Sequence, residues 1–130
     1  MNFQHKVLVD SSVWIDFFRN GNQPQLELLI TEDLACTNEL ILTELLPAIE
    51  NQRKNELNES LLALEIVPLS IDWDLIRRYQ TMNIKNGVNK VGIPDLMILQ
   101  QVIEQKMTLM SLDKHFKLMN NSFSFDLIMV

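Results

Sequence analysis

Val7-Leu8-Val9-Asp10-Ser11-Ser12-Val13-Trp14-Ile15-Asp16-Phe17-Phe18 changes its period at the fourth residue. Three consecutive aliphatic side chains read as a short strand buried on both faces. Beyond the serines, Val13 with Phe17 and Trp14 with Phe18 repeat at i, i+4, the spacing of an amphipathic helix. The chain therefore leaves a strand on a carboxylate and turns at once into a helix. Open α/β sheets bind ligands at the carboxyl ends of their strands. A carboxylate buried at that point needs a positive partner, and a hard divalent cation is one common partner.

Working outward, the same alternation continues. Strand one spans 6–10 and the helix 12–19 stops at Asn20-Gly21-Asn22, with glycine as the C-terminal breaker. A second helix covers 24–31, with Pro24 near its start. Leu34-Ala35-Cys36 reads as a strand, after which Thr37 or Asn38 caps a helix that contains Glu44 and that Pro47 is expected to kink or divide. A helix over 53–65 turns Leu57, Leu61, Leu62 and Leu64 inward and Glu56 and Glu59 outward. Ile66-Val67-Pro68-Leu69 is a short strand, and Ser70 or Asp72 opens a helix that ends near Asn86 and Gly87. Pro94 opens another helix reaching about Gln105, with Leu96, Leu99, Val102 and Ile103 apolar. Met107–Met110, Lys114–Met119 and Asp126–Val130 read as strand, helix and strand. Strands alternating with helices predict an α/β fold: a doubly wound parallel sheet of about five strands with helices on both faces.

The 130 residues fit one domain, with no linker, repeat or low-complexity tract, and 47% hydrophobic residues suffice for a packed core. A single cysteine, Cys36, allows no internal disulfide and fits a reducing compartment. The N-terminal residues carry no signal-peptide pattern, and no apolar run approaches the ~20 residues of a membrane span. The expectation is a cytoplasmic protein. A net charge of −6 argues against a nonspecific nucleic-acid coat. The charge is uneven, however: residues 1–71 carry 4 Lys+Arg against 11 Asp+Glu, and residues 72–120 carry 7 against 5. A locally basic face could meet phosphates, with Arg19, Lys85, Lys90 and Lys114 as guesses for the contacts.

Three further carboxylates share the apolar setting of Asp10: Glu44 in Leu42-Thr43-Glu44-Leu45-Leu46, Asp95 in Ile93-Pro94-Asp95-Leu96, and Asp113 in Ser111-Leu112-Asp113. Strand ends and helix starts face the same edge of a parallel sheet, so Asp10, Asp95 and Asp113 should converge there, with Glu44 turned inward from mid-helix. Gathered together they would raise one another's pKa values, and one or two Mg²⁺ or Mn²⁺ ions would relieve the repulsion. Such ions activate water and stabilise both oxygens of an in-line phosphoryl displacement. Each residue alone has a plainer reading: Asp10 as helix N-cap, Asp95 as complement to a helix dipole, Asp113 as turn residue. His5 and His115 lack ligand partners at zinc-like spacing, and Cys36, Met107, Met110 and Met119 read as core. Asp16 reads as a surface or capping residue. No Gly-rich phosphate loop and no Gly-x-Ser-x-Gly elbow is present.

The segment from Val9 to Arg19 closely resembles the opening of PIN-domain nucleases, specifically VapC-type toxins of type II toxin–antitoxin systems. The resemblance covers nearly the whole chain. Thr43-Glu44-Leu45 matches the second acidic position, Pro94-Asp95-Leu96-Met97-Ile98 the third, and Ser111-Leu112-Asp113-Lys114-His115-Phe116 the fourth. It implies one PIN domain over 1–130 and a Mg²⁺- or Mn²⁺-dependent ribonuclease. Asp10, Glu44, Asp95 and Asp113 would form the metal pocket, and Ser12 or Ser11 would help hold a metal-associated water or phosphate. Ser111 stands where the family often has Thr, so it keeps a hydroxyl for the same purpose. The implied partners are an RNA substrate such as tRNA, a small cognate antitoxin laid into a groove of the helices at 12–31 and 38–65, and a second copy in a homodimer. No membrane partner is implied. Met97 and Gln100-Gln101 are bulkier than the small residues usual after the third aspartate, and Pro47 is unusual in its helix. Competing readings are a PIN nuclease of RNA maturation, a phosphoacceptor receiver domain, and a non-catalytic RNA-binding module. The receiver reading is disfavoured because Asp10 has no acidic neighbour.

Overall fold

In the computed structural model, which describes residues 6–51 and 55–130 and the side chains of all of these except 51–58, the five strands form one parallel sheet in the order β3-β2-β1-β4-β5. The strands are β1 Val7–Val9, β2 Ala35–Thr37, β3 Glu65–Ile66, β4 Thr108–Ser111 and β5 Asp126–Met129. The helices are α1 Ser11–Asn20, α2 Pro24–Thr31, α3 Glu39–Asn51, α4 Asn55–Leu62, α5 Trp73–Lys85, α6 Ile93–Glu104 and α7 Lys114–Met119. The expected α/β class, strand number and alternation are what the structure has.

The all-aliphatic β1 is the central strand, and its three side chains are wholly buried. It pairs with β2 through Val7–Ala35 and Leu8–Cys36, and with β4 through Val7–Thr108, Leu8–Leu109 and Val9–Met110. A parallel sheet buried on both faces needs such apolar runs. Helix starts and stops follow local chemistry. Gly21 adopts φ +67°, and its N–H bonds the Phe17 carbonyl at 2.8 Å to close α1. Asn38 caps α3, its Oδ1 accepting from Ile41 N at 2.8 Å. Asp72, rather than Ser70, caps α5, accepting from Leu75 N at 3.1 Å.

Four expectations shift. Pro47 does not divide its helix, since α3 runs through it. Pro47 and Thr43 are both exposed, so the Thr43 carbonyl that loses its i+4 donor lies on the solvent side, where water satisfies it. β3 ends earlier than Leu69: Val67 N still reaches the Thr37 carbonyl at 2.8 Å, but Pro68 has no N–H to continue the ladder. Leu62 is 51% exposed instead of inward, while Leu61 is buried and Leu64 half-buried. The expected roles of Glu56 and Leu57 lie outside the described side chains. Finally, the bulky Gln100 and Gln101 are buried as struts. Gln101 accepts from Asn38 Nδ2 at 2.7 Å and donates to the Val67 carbonyl at 3.2 Å, while Gln100 donates to the Ser70 carbonyl at 2.9 Å. They tie α6 to the loop at 67–72 and to the start of α3.

Candidate active site and metal centre

The site lies at the carboxyl edge of the two central strands. Asp10 follows β1 directly and is only 4% exposed. Its backbone stays in the sheet ladder, with N–H donating to the Met110 carbonyl at 2.9 Å, while its own carbonyl accepts from Val13 N at 3.1 Å in the first turn of α1. The side chain caps that helix, accepting from Ser11 N at 2.9 Å. Its other oxygen accepts from the hydroxyls of Ser12 at 2.8 Å and Ser111 at 2.9 Å. The capping and pocket readings of Asp10 are thus compatible.

Each serine hydroxyl has a single proton, and in this geometry both protons are directed at Asp10. Their oxygens accept in turn from backbone: Leu112 N donates to Ser12 Oγ at 3.1 Å and Asp113 N to Ser111 Oγ at 2.9 Å. Ser12 and Ser111 thus fix Asp10 and the turn after β4, and their two oxygens stand 3.5 Å apart. Burial pushes the Asp10 carboxyl above its ordinary pKa, the hydrogen bonds from Ser12, Ser111 and Ser11 oppose that, and the charge of Asp113 adds to it.

Asp95 is the third residue of α6, in the turn opened by Gly92 and Pro94. Its carboxyl is pushed up to about 7, first by burial, then by the charges of Asp113 and Asp10, with His115 opposing and Glu44 adding. Asp113 caps α7, accepting from His115 N at 2.9 Å. Glu44 is an exposed residue of α3 and not an inward one, because Ile41, Leu42, Leu45 and Ile49 take the buried stripe. Its carboxyl sits at the pocket rim: partial burial raises its pKa, the charge of Asp10 raises it further, and a hydrogen bond from the Ser11 side chain lowers it. Asp10, Glu44 and Asp95 thus each feel the charge of at least one other carboxylate of the set.

His115 is the residue that sequence reasoning does not find. Its Nδ1 lies 3.5 Å from Asp113 Oδ1 and 3.9 Å from Asp95 Oδ2. Asp95, Asp113 and His115 each offer a ligand atom, all within 4.8 Å of one another. The signal lies in Asp113-Lys114-His115: an N-cap side chain folds back over the backbone N–H two residues on, which brings the side chain at that position beside it. A search for pairs of His or Cys at zinc spacing does not detect this. The remaining readings stand as structural ones. Cys36 is buried with its thiol pushed up to about 12, chiefly by burial, and Met107, Met110 and Met119 are buried. Asp16 accepts from the side chains of Asn20 and Gln23, joining α1 to α2. His5 lies outside the described residues.

Two further surfaces stand out among the described residues. An apolar cavity of about 110 Å³ between α1 and α3 is lined by Ile15, Phe18, Arg19, Leu45, Ala48 and Ile49. Helix α5 is exposed along Arg77, Arg78 and Lys85, and its C-terminal half is tied to the loop before α6 by Gln80 Nε2 donating to the Val91 carbonyl at 2.9 Å. A larger open cavity of about 440 Å³ lies elsewhere, lined among others by Lys6, Glu65, Pro68 and Gln105, and includes none of the four carboxylates.

The sequence model of the PIN domain matches residues 7–121. The chain belongs to the PIN domain family. As a PIN domain it has the nuclease fold of that family, and the match spans all four carboxylates. The structure is similar to that of VapBC2 from Rickettsia felis bound to a promoter DNA fragment, at 20% identity and a TM-score of 0.74 over 95% of this chain and 98% of that one. It is similar to DNA-bound VapBC from Salmonella typhimurium, at 14% identity and 0.75 over 96% and 98%. It is also similar to FitAcB from Neisseria gonorrhoeae, at 18% identity and 0.71 over 94% and 96%. Such identities establish a shared fold. No curated protein matches the chain significantly in sequence.

Proposed function

We propose that this PIN domain, taken as the whole chain 1–130, is a Mg²⁺- or Mn²⁺-dependent endoribonuclease and the toxin of a toxin–antitoxin pair. The observation that carries the proposal is the convergence of Asp10, Asp95 and Asp113, with Glu44 at the rim, on the edge of the sheet where this fold class binds ligands. The residues fit a divalent cation. Burial, followed by the charges of Asp113 and Asp10, pushes the Asp95 carboxyl up to about 7, a penalty that a cation among these carboxylates would relieve, and the oxygen donors are those hard cations take. Asp95 and Asp113 would hold the ion with Asp10, and Glu44 would reach it from the rim. When bound, such an ion supplies charge neutralisation at the scissile phosphate and lowers the pKa of an attacking water.

The protein's own contributions are positional. Ser12 and Ser111 lock one Asp10 oxygen, and the α1 cap locks the other. The Asp113 cap fixes its carboxylate over the first turn of α7. The Ser12 and Ser111 hydroxyls are engaged with Asp10, and the proposed reaction is direct attack of water on the phosphodiester without a covalent intermediate, leaving 5′-phosphate and 3′-hydroxyl ends. The antitoxin reading draws on the VapBC likeness and on the apolar cavity between α1 and α3, which suits one face of an amphipathic helix. A homodimer and a cytoplasmic location belong to the same proposal. Among the described residues no helix is long and apolar enough to cross a membrane.

The test is cleavage of labelled single-stranded RNA and total tRNA by purified protein with Mg²⁺, with Mn²⁺ and with chelator, beside Asp95→Asn. Metal-dependent fragments absent from the variant support the assignment. Cleavage that persists in chelator or in both Asp95→Asn and Asp10→Asn overturns it.

A further inference from the structure

His115 is second in α7, and the Asp113 cap over its own N–H holds it at the pocket. Its imidazole is half-buried, and among the described residues its polar contacts are Asp95 and Asp113, at 3.9 and 3.5 Å from Nδ1. Two atoms bound to one ion at about 2.1 Å can stand no more than about 4.2 Å apart. Both imidazole distances already fall within that span, with a flexible carboxylate on the other side of each. Phe116, the next residue, is wholly buried and anchors α7 against the sheet, so the ring is carried on a fixed element.

Resting on the metal reading above, we infer that His115 is a direct ligand of this centre through Nδ1, and that it tilts the site toward Mn²⁺ over Mg²⁺. Carboxylate and water suit both ions, but Mg²⁺ favours an all-oxygen octahedron and keeps much of its water. Mn²⁺ shares the oxygen preference of Mg²⁺, but as a first-row transition ion it accepts an imidazole nitrogen beside its oxygen ligands more readily than Mg²⁺ does. The mixed set Asp95, Asp113 and His115 therefore discriminates between two ions that Asp10, Glu44, Asp95 and Asp113 alone would bind alike. The alternative use of the ring is as a positive counter-charge to the two carboxylates, which would oppose a cation instead of binding it.

The experiment uses the full chain, Mn²⁺ as probe, and no RNA. Bound Mn²⁺ is counted by loss of the free-ion electron paramagnetic resonance signal, Mg²⁺ is titrated in as competitor, and pulsed measurements read nitrogen coupling to the bound ion. Wild type is expected to bind Mn²⁺ with a directly coordinated nitrogen. His115→Ala should lose that coupling and weaken Mn²⁺ by about tenfold or more, the scale on which metal sites respond to losing even a supporting group. Mg²⁺ competition should weaken much less. His115→Gln, which restores a polar side chain of similar reach without the imidazole, should behave as His115→Ala, and thermal melting confirms that both are folded. Bound Mn²⁺ without nitrogen coupling, coupling that survives in His115→Ala, equal weakening of both ions, or tighter Mn²⁺ in the variant each overturns the inference while leaving the metal site standing. Absence of Mn²⁺ binding to wild type overturns both the inference and the metal reading beneath it.

Discussion

Ser111 Oγ donates to Asp10 Oδ2 at 2.9 Å, joining the end of β4 to the end of β1 across 101 residues of chain. The same hydroxyl accepts from Asp113 N, so one side chain holds two of the candidate ligands in register. Ser111→Ala removes a donor from a buried carboxylate and leaves the Asp113 N–H without its acceptor. Chemical denaturation at pH 7 should show a loss of about 1–3 kcal/mol. Ser111→Thr keeps the hydroxyl and should recover most of that loss, and Ser12→Ala combined with Ser111→Ala should be non-additive, because both bonds end on one oxygen.

Asp95 sets a pH dependence in the metal-free protein. Its folded pKa of about 7 lies above the ordinary 3.8, so between these values the folded state binds more protons than the unfolded one. Stability attributable to this group therefore falls as pH rises through roughly 4 to 7, and the loss is complete above that window. The full difference amounts to at most about 4 kcal/mol. Denaturation midpoints of metal-free wild type and Asp95→Asn should be close at pH 4–5 and diverge toward pH 8, where the variant is the more stable. Parallel pH profiles would show that the Asp95 carboxyl is not strained by its neighbours.

Mn²⁺ should work against that ranking. A ligand that binds only the folded state stabilises it by about 2.7 kcal/mol at one hundred times its Kd. Wild type should gain in melting temperature with added Mn²⁺ and lose the gain in chelator, whereas Asp10→Asn and Asp95→Asn should gain far less. An undiminished gain in Asp10→Asn places the ion elsewhere.

The apolar cavity between α1 and α3 can be blocked without touching the pocket. Ala48 is exposed at its wall, so Ala48→Glu should leave folding and metal binding unchanged. Binding of an amphipathic antitoxin helix, measured by calorimetry, should weaken by at least about tenfold, the cost of placing a charge, even with Arg19 in the same wall, against an apolar face.

Helix α5 and the loop that follows it, which carries Lys90, make a separate prediction about RNA. Neutralising Arg77, Lys85 and Lys90 together should lower the slope of log affinity against log salt for single-stranded RNA by about 0.7 for each phosphate that is no longer paired with a cation. Filter binding with the inactive Asp95→Asn protein across a salt series reads this directly. An unchanged slope removes α5 from the RNA path.

Much of this layout is legible in the residues because each carries a local rule. The period change at Asp10, the left-handed Gly21 and Pro24 at a helix start mark boundaries that need no tertiary knowledge. Asp10, Asp95 and Asp113 can be brought together on paper because strand ends and helix starts share an edge in a parallel sheet. What is not legible depends on contacts between distant segments. Leu62 is apolar yet exposed, and nothing in its neighbours announces that. Pro47 sits within a continuous α3 on its exposed face, and exposure is a tertiary property. The flanks of Glu44 point it inward, but the stripe of Ile41, Leu45 and Ile49 already claims that direction. His115 escapes a reading by spacing because its partners lie two residues before it and on another helix.

The sheet order places β1 at the centre, although it is made first, and its neighbour β4 comes near the end of the chain. At 5–20 residues per second of synthesis, Asp10 spends about 5–20 s without Ser111. Pairing over such a separation is also slow to nucleate after release. A ribosome-bound or truncated fragment that stops before Ser111 carries Asp10, Glu44 and Asp95 but neither the hydroxyl nor the carboxylate that completes the pocket. The carboxylate cluster therefore stays incomplete until the segment that carries Ser111 and Asp113 has been made and has paired with β1.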